Sequence, residues 1–556
     1  MAETDVGQNP APGFAVPQPG DVAAGLPADR MRRLAAWRRR GGWLVIAVPM
    51  ATSLVVGGYG IGGPSLWRDE AYTKDGVTRP VGQIFAMLGH QDAVHGAYYM
   101  LMHVIATAIG TSATALRLPS LCAMVIATGF TAAIGRRAAA LALAPAPGAP
   151  APGRPGLDVP ALTGLLSGLL FATAPYMTYY AQMARSYAIE TMFAAVASYL
   201  LLRAVPDGRW RWWLPYAAAV ALAGLFNVFG LLILAAHGVT LLLTDARGQS
   251  GTGRRLGRIP LRWLAASAAA VAVLGPLLAV ASRQQDQIVW LTPPDLKAME
   301  RLLVTMAGSR LLVLPFALLA LAGLAAACLA DGLRPLNPAA IALPWLVVPP
   351  FVLITASFVK PVYFVRYVEF CLPALAILAG AGLTGLVRLA AVTPVGRLRL
   401  AWLPAALVIA GLAALLAGPQ QAIRQTAARP DNLRLASAIV AAHEQPGDAV
   451  FYIPHNVRVL GTGYPEPFRR LRDIALAEPP LASATLTGTE ITDPTRLKSR
   501  FTGVRRVWVV TGASTFRFPV LSTPADKEKM ALLARAGMHI LHRWMAGEVM
   551  LTLYGT

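Results

Sequence analysis

The chain has 556 residues, of which 56% are hydrophobic and only 14% are charged, and its formal net charge is +21. This composition lies outside the usual balance of soluble domains and excludes a soluble protein. The basic residues fall in short loops between apolar runs, which is typical of cytoplasmic loops of membrane proteins. The charge therefore indicates orientation in a membrane, and we expect no nucleic-acid partner.

The N-terminal residues 1–42 form a polar stretch rich in proline, glycine and alanine. This stretch ends in Arg38-Arg39-Arg40 and is followed directly by an apolar run from Trp43 to Gly63. The order is wrong for a cleaved signal peptide. We therefore predict a disordered cytoplasmic tail over residues 1–42 and an uncleaved first span.

The apolar runs up to Pro419 predict a helical bundle, since a membrane span needs about 20 mostly apolar residues. The run from Gly96 to Gly110 is short, and counting it as a span would put the basic loop after it outside. We therefore treat it as a juxtamembrane or re-entrant helix, which leaves about eleven spans. After the first span these are Leu116–Gly135, Ala161–Thr173, Tyr187–Leu202, Trp213–Phe226, Gly230–Leu243, Trp263–Ala281, Arg310–Ala330, Ala339–Phe358, Phe370–Val387 and Trp402–Gly418.

This topology puts the basic loops on the cytoplasmic side. They contain Arg136, Arg137, Arg154, Arg209, Arg211, Arg254, Arg255, Arg258, Arg334, Arg388, Arg397 and Arg399. The odd number of spans then places residues 419–556 outside, where the composition becomes that of a soluble domain. The predicted fold is an all-α polytopic membrane bundle (43–418), with a juxtamembrane helix in its first external loop and a small extracytoplasmic α/β domain (419–556).

Local patterns predict the elements of this C-terminal domain. Ala449 to Ile453 and Arg506 to Val510 are short apolar runs typical of strands. Pro524 to Ala536 follows a capping threonine and precedes a glycine, which predicts a helix. Met538 to Tyr554 is expected to form a closing hairpin around Ala546-Gly547.

Polar side chains gather on the predicted external face, where they are costly unless paired or functional. The four groups are Trp67 to Thr73, Asp92 to Tyr99, Tyr176 to Glu190 and Lys360 to Glu369. Their carboxylates can act as a general base or as metal ligands. Their arginine, lysine and histidine side chains suit a departing phosphate, and their aromatic rings suit the face of a sugar. These residue types fit glycosyl transfer from a lipid phosphate carrier.

Each group also has a structural explanation. The pair Asp69 and Glu70 can be an ordinary loop pair, and Asp92 can cap the short helix. Arg185 can extend its charge from a span to the interface, where Tyr187 would belong to the aromatic belt. Lys360 and Arg366 can be interfacial anchors, although positive charge on the external side runs against the usual bias.

Several short motifs in these groups resemble the GT-C superfamily of polyprenyl-phosphate-sugar-dependent glycosyltransferases, which includes protein O-mannosyltransferases and lipid A aminoarabinose transferases. The motifs are Asp69-Glu70-Ala71-Tyr72, the run from Asp92 to Tyr99, Arg117-Leu118-Pro119-Ser120, the run from Gln182 to Ile189, and Arg366-Tyr367 followed by Leu372-Pro373-Ala374. They cover the bundle from Leu66 to about Leu375 and keep the order of the family. The resemblance does not extend into the domain after Pro419.

The resemblance implies an inverting transfer of one sugar, with mannose as the expected sugar. The donor would be an externally facing polyprenyl phosphate in the plasma membrane, and the acceptor a hydroxyl on a protein, a lipid or an envelope glycan. Asp69 would deprotonate the acceptor, and Glu70 would orient it or bind a metal. The donor phosphate would contact Arg185, Arg366 and Lys360, and the sugar or acceptor would contact Asp92, His95, Tyr98 and Tyr187.

Two departures from the family pattern bear on these roles. Gly96-Ala97 stands where many members have two prolines, and the second external loop has Glu190 but no aspartate. The second difference weakens the support for a divalent metal, so no metal ligands are assigned.

Two alternatives to an enzyme remain. One is a transporter or lipid flippase, because charged and aromatic residues also line transport paths. The other is a catalytically inactive receptor.

Overall fold

The computed structural model describes residues 28–143, 158–249, 257–285, 289–329, 335–391, 403–512, 521 and 523–556. Residues 1–27 of the predicted tail lie outside this description. So do Ala330 and Trp402, which end or begin two predicted spans. Of the arginines that supported the predicted orientation, Arg154, Arg254, Arg255, Arg334, Arg397 and Arg399 also lie outside it.

The membrane part of the chain is built from helices. They are α1 (Ala28–Gly58), α2 (Arg68–Val77), α3 (Val81–His90), α4 (Gly96–Ile109), α5 (Ala113–Ala142), α6 (Val159–Thr173), α7 (Pro175–Ala181), α8 (Tyr187–Asp207), α9 (Trp210–Phe226), α10 (Ile233–Gln249), α11 (Ile259–Val273), α12 (Gly275–Ala281), α13 (Leu296–Ala307), α14 (Arg310–Leu329), α15 (Pro338–Ser357), α16 (Leu372–Ala391) and α17 (Leu403–Ala422). Short 3₁₀ turns cover Ala93–His95, Val228–Leu232 and Val365–Cys371. Helix α1 begins before the predicted anchor at Trp43.

All eleven predicted spans fall on helical segments, and Trp263–Ala281 falls on the pair α11 and α12, which is bent by 52°. This confirms the predicted membrane bundle. In the described part of the chain, six helices are long and apolar enough to cross a membrane, or eight if two bent pairs each count as one span. Three predicted spans are outside that count, and they lie on α1, α9 and α17. The short helix α4 has 14 residues, about 21 Å, which is less than the hydrocarbon thickness.

Proline accounts for the sharp bend between α6 and α7. The two helices are bent by 62° where Ala174 precedes Pro175. Proline lacks an N–H group and disfavours helical backbone in the residue before it, so one helix ends and another begins there. The bend turns the chain from α6 into α7 and the loop that leads to Arg185.

The C-terminal domain is a mixed α/β unit, as predicted, with helices on both faces of its sheet. Its five-stranded sheet has the order β2-β1-β5-β7-β6, in which β1 is parallel to β2 and β5, and β7 is antiparallel to β5 and β6. The strands are β1 (Ala449–Ile453), β2 (Arg472–Asp473), β3 (Leu476–Glu478), β4 (Thr489–Glu490), β5 (Arg506–Gly512), β6 (His539–Ala546) and β7 (Val549–Gly555), with β3 and β4 forming a separate pair. The helices are α18 (Leu433–His443), α19 (Pro494–Phe501) and α20 (Pro524–Arg535).

Helix α2 lies where the bundle meets this domain. Ala71 packs into the apolar cluster of the C-terminal sheet with Val457 and Leu460. Trp67 and Val77, at the two ends of the same helix, pack into the bundle core. The helix that carries the predicted acidic pair is thus held on both sides.

Candidate active site

Asp69 and Glu70 are neighbours in the first turn of α2, but they point to different surroundings. Successive residues of an α-helix are rotated by about 100°, so two adjacent side chains cannot share one face. The Asp69 side chain is 15% exposed, whereas that of Glu70 is completely buried. The two acids therefore have different partners and require separate interpretations.

Asp69 forms an ion pair with Arg366. Asp69 Oδ2 lies 2.5 Å from Arg366 Nη1, and the two residues are 297 positions apart in the chain. Arg366 lies in the 3₁₀ turn that precedes α16, and its guanidinium is 4.7 Å from the ring of Phe364 and about 6 Å from those of Trp67, Tyr187 and Tyr367. Aromatic faces attract a cation at such distances. The structure thus brings the first and the last of the four predicted polar groups together.

Arg185 and His95 form a second pair beside the first. Arg185 Nη2 lies 2.7 Å from His95 Nε2, and Arg185 Nη1 makes a long contact of 3.5 Å to the main-chain oxygen of Asp69. Burial lowers the pKa of His95 well below its ordinary value of 6.5, and the charges of Arg185 and Arg366 lower it further. The imidazole is therefore neutral, with Nε2 accepting from Arg185 and the proton on Nδ1.

Asp92 supports the histidine turn. It adopts a left-handed backbone conformation with φ of 58°, which aspartate tolerates better than most residues. Its Oδ2 accepts a hydrogen bond of 2.7 Å from the Tyr99 hydroxyl. Burial raises the pKa of Asp92, and the nearby charge of Arg185 opposes that rise. The turn is also held by Gln284, whose Oε1 accepts from the main-chain nitrogen of Ala93 at 2.9 Å.

Several buried donors in this cluster have no hydrogen-bond partner within the described part of the chain. They are Trp67 Nε1, His95 Nδ1, Arg185 Nε and Arg366 Nε. Nearly all buried polar groups in proteins are paired, so a group of unpaired donors requires an explanation. All four are donors, and two belong to cations, which suits an anionic ligand with several acceptor oxygens.

Glu70 belongs to a different arrangement. Its two oxygens each accept a 2.7 Å hydrogen bond from Arg117, and Oε1 also accepts from the main-chain nitrogen of Ala184 at 2.9 Å. Arg117 donates in addition to main-chain oxygens of the loop before α2, those of Ile61, Pro64 and Ser65. These contacts join three segments of the chain. They give Glu70 partners other than Arg366, Arg185 and His95, and its predicted catalytic or metal-binding role stays a prediction.

The remaining predicted residues differ in their positions. Tyr187 is buried beside Arg366, as the predicted site requires. Tyr98 is fully buried within the bundle core. Lys360 is exposed and bonds to the side chain of Gln285, and no described contact joins it to Asp69. No group of three or more His, Cys, Asp or Glu side chains that could hold a metal occurs in the described ranges.

Sequence reasoning missed two residues that shape this site. Arg117 was noted only as part of a motif, although an arginine inside an apolar run signals the need for a buried partner. Asp431 received no role, yet its carboxylate accepts from the main-chain nitrogen and the guanidinium of Arg68, next to Asp69. No sequence signal pointed to Asp431, because its partner is 363 residues away.

Comparison with known proteins gives one family match over part of the chain and several structures of similar fold. Residues 159–279 match the family model described as dolichyl-phosphate-mannose-protein mannosyltransferase. No curated protein matches the chain.

Among solved structures, ArnT from Cupriavidus metallidurans is similar in its apo state, with a TM-score of 0.56 and 14% identity over 92% of this chain and 98% of that one. The same protein bound to undecaprenyl phosphate has a TM-score of 0.56 and 16% identity over the same shares of the two chains. The arabinofuranosyltransferase AftD from Mycobacteria gives a TM-score of 0.45 and 15% identity, and the match covers 93% of this chain and 40% of AftD.

The ArnT structures show the fold, that of a multi-pass membrane protein with a C-terminal α/β domain. With the family match over residues 159–279, they confirm the predicted resemblance to membrane glycosyltransferases that use lipid-phosphate sugar donors.

Proposed function

We propose that this protein transfers a single sugar, with mannose as the expected sugar, from a polyprenyl phosphate to a hydroxyl of the cell envelope or of a secreted protein. The observation that carries the proposal is the cluster at Asp69. A carboxylate there lies against a cation, and the surrounding buried donors have no partner in the described chain. A general base beside a phosphate site is what such a transfer requires.

The donor phosphate is assigned to Arg366, Arg185 and His95. Guanidinium groups bind phosphate oxygens through paired hydrogen bonds, and the Nδ1 proton of a neutral His95 adds a further donor. That undecaprenyl phosphate binds ArnT, which shares this fold, supports a polyprenyl phosphate as the carrier. Lys360 lies exposed outside the cluster, and we assign it a weak contribution to attracting the phosphate.

The sugar is placed against Tyr187 and the turn formed by Asp92 and His95. The Tyr187 ring lies beside Arg366, where a phosphate bound to Arg366 would bring the first sugar ring. Tyr98 and Tyr99 lie buried behind the turn, and the bond from Tyr99 to Asp92 fixes its shape. These residues would set the pocket in which the sugar carbon C1 becomes accessible to attack.

In the transfer step, Asp69 takes the proton of the acceptor hydroxyl while the acceptor oxygen bonds to C1 of the sugar. The bond between C1 and the phosphate oxygen breaks, and polyprenyl phosphate leaves with the additional negative charge. Attack from the side opposite the phosphate inverts the configuration at C1. Arg366 and Arg185 stabilise the charge that develops on the phosphate, because fixed cations act strongly where water is scarce.

The ion pair between Asp69 and Arg366 gives this step an order. Asp69 is bonded to Arg366 at 2.5 Å, and an arriving phosphate competes with the carboxylate for that cation. Binding of the donor therefore frees the Asp69 oxygen to accept a hydrogen bond from the acceptor hydroxyl.

We further propose that the site faces the outside of the plasma membrane, with the N-terminus in the cytoplasm. The concentration of arginine in the loops at the other ends of the spans supports this orientation through the positive-inside rule. The C-terminal domain packs on α2 and therefore lies on the same side as Asp69.

The test is transfer by the purified protein in proteoliposomes, measured as consumption of a panel of radiolabelled sugars on undecaprenyl phosphate with a cell-envelope extract as acceptor. We expect mannose to be consumed, and Asp69→Asn to lower the rate by about 10²- to 10⁴-fold, the usual range for loss of a general base. Binding of undecaprenyl phosphate and the Tm in detergent should stay near their wild-type values.

Three results would contradict the proposal. An Asp69→Asn protein that transfers at the wild-type rate rules out Asp69 as the base. Equal use of a nucleotide sugar rules out the donor class. Movement of the labelled lipid across the bilayer without its consumption would support a flippase instead.

A further inference from the structure

The C-terminal domain holds the helix that carries the proposed base. Asp431 Oδ2 accepts from the main-chain nitrogen of Arg68 at 3.0 Å, and Asp431 Oδ1 accepts from Arg68 Nη2 at 3.2 Å. Arg68 is the first residue of α2 and the immediate neighbour of Asp69. The Asp431 side chain is 2% exposed and that of Arg68 is 33% exposed, so the carboxylate is the buried partner. A charged hydrogen bond is stronger where water is excluded.

Asp431 is itself fixed by the last hairpin of the chain. It pairs with Gly547 in an isolated bridge, and Gly547 forms the turn between β6 and β7. The neighbouring Asn432 nitrogen bonds to Ala546, and the Glu548 nitrogen bonds to Pro430. A side chain at position 547 would approach the Pro430 oxygen to 2.2 Å, and φ there is +65°, so glycine is required.

Other contacts between the domain and α2 lie farther along the helix. Lys74 Nζ donates to the Gly463 oxygen at 2.8 Å, and the Tyr72 hydroxyl donates to the Asn456 oxygen at 3.3 Å. They hold the later turns of α2. Asp431 alone among these three domain residues binds the turn that contains Asp69.

We propose that Asp431 is a positioning residue for the transfer reaction, acting from the C-terminal domain through Arg68 on the position of Asp69. This proposal rests on the proposed function, because it assumes that Asp69 is the base. Proton transfer requires the base within hydrogen-bond reach of the acceptor hydroxyl, and a displacement of about 1 Å can cost about 100-fold in rate. The role of the domain is therefore to fix the geometry of the catalytic turn.

The first experiment compares Asp431→Asn with Arg434→Gln in the full-length protein in proteoliposomes, with mannosyl-phospho-undecaprenol and the envelope extract. Arg434 is a matched control, because it also contacts the segment before α2, through the oxygens of Gly63 and Gly62 at 3.3 and 3.2 Å, but not α2 itself. We expect Asp431→Asn to lower kcat by about 10- to 100-fold and to keep donor KM within about twofold of the wild-type value. Arg434→Gln should leave kcat and donor KM within about twofold of their wild-type values.

A double-variant cycle separates positioning from general damage. In protein that already carries Asp69→Asn there is no base to position, so Asp431→Asn should reduce the residual rate by less than about twofold. Equal losses in the two backgrounds would overturn the proposal. Wild-type kcat in the single variant would overturn it as well.

If Asp431→Asn fails to fold, Arg68→Gln is the second variant that tests the proposal. It removes the guanidinium contact and keeps the main-chain hydrogen bond, so kcat should fall by about 3- to 10-fold, and an unchanged kcat contradicts the proposal. Failure of the proposed function is distinguishable, because then the wild-type protein consumes no donor at all.

Discussion

Two regions of this molecule concentrate buried charge, and they differ in how those charges are satisfied. In the C-terminal domain, Lys529 bonds to Glu490 at 2.7 Å and to Asp526 at 3.3 Å, and Arg458 bonds to Asp473 and Glu490 at 2.6 and 2.9 Å. At the end of the bundle, the Asp69 cluster contains donors without partners in the described chain. The first region stabilises the domain, whereas the second is suited to bind a ligand.

The comparison shows that burial and charge alone do not identify a functional site. Both regions contain arginine and carboxylate side chains with little exposure. Complete pairing is the expected state of charges in a protein interior, so it requires no ligand. Incomplete pairing of donors around one carboxylate is the feature that favours a site for an anion.

The pair of Glu70 and Arg117 is the strongest test of this distinction, because it lies beside the site but is fully paired. Glu70→Gln leaves the Arg117 charge buried without a counter-charge, which should destabilise the protein by about 3–5 kcal/mol. We expect a lower Tm and yield in detergent, with transfer per folded molecule less affected than in Asp69→Asn.

The double variant Glu70→Met with Arg117→Met is the control for this prediction. Replacing both members of a buried pair costs less than removing one, so the double variant should recover part of the lost stability. A stable Glu70→Gln protein that cannot transfer sugar would support the catalytic role predicted for Glu70 from the sequence.

Arg366→Gln tests the unpaired side of the comparison. Removing this cation should lower kcat/KM for the donor by about 10²- to 10³-fold, because a fixed charge on the developing phosphate is lost. Its matched control is Lys529→Met, which removes a buried cation from the fully paired cluster and should lower Tm without changing kcat per folded molecule. The opposite pattern, with Arg366→Gln acting on stability alone, would show that Arg366 is structural.

Much of the fold was predictable because its signals are local. Whether an apolar run forms a helix depends on that run, and all eleven predicted spans fall on helical segments. The strand Ala449–Ile453 was predicted from a short apolar run, and the closing hairpin from turn residues within a few positions. Six to eight helices in the described part of the chain have the length and composition of a span, and the three other predicted spans also lie on helices.

The site was predictable only as a set of residue types on one face. The partner of Asp69 is 297 residues away, and nothing in either segment specifies the other. The separate roles of Asp69 and Glu70 depend on the rotation of α2, which Arg117 and Asp431 fix through long-range contacts. Such rotation is a property of the packed molecule, so the sequence could not separate two adjacent acids.

His95 gives a smaller effect, which appears as a dependence of stability on pH. The pKa of His95 is lowered in the folded protein, whereas in the unfolded chain it has its ordinary value of 6.5. The unfolded chain therefore binds a proton more readily than the folded protein does. The stability that His95 contributes to the folded protein is fully present above pH 6.5 and is lost as the pH falls below it.

The measurement is the Tm in detergent from about pH 5 to 8 for the wild-type protein and His95→Gln. Glutamine keeps an acceptor for Arg185 but does not titrate, so the variant should lose less Tm on acidification. Equal slopes in the two proteins would mean that folding leaves the pKa of His95 unchanged, and the argument that burial keeps its imidazole neutral would then be wrong.

Lys360 is expected to give the smallest effect and marks the edge of the site. Its side chain is exposed and bonds to Gln285, and an exposed charge interaction contributes about 1 kcal/mol or less. Lys360→Ala should therefore raise donor KM by less than about fivefold and leave kcat unchanged. The increase in KM should disappear at high salt, because salt screens exposed charges. The contrary outcome is that Lys360→Ala impairs transfer as strongly as Arg366→Gln at all salt concentrations. The loop of Lys360 would then have to close onto the donor phosphate. The site would in that case extend beyond the four donors around Asp69.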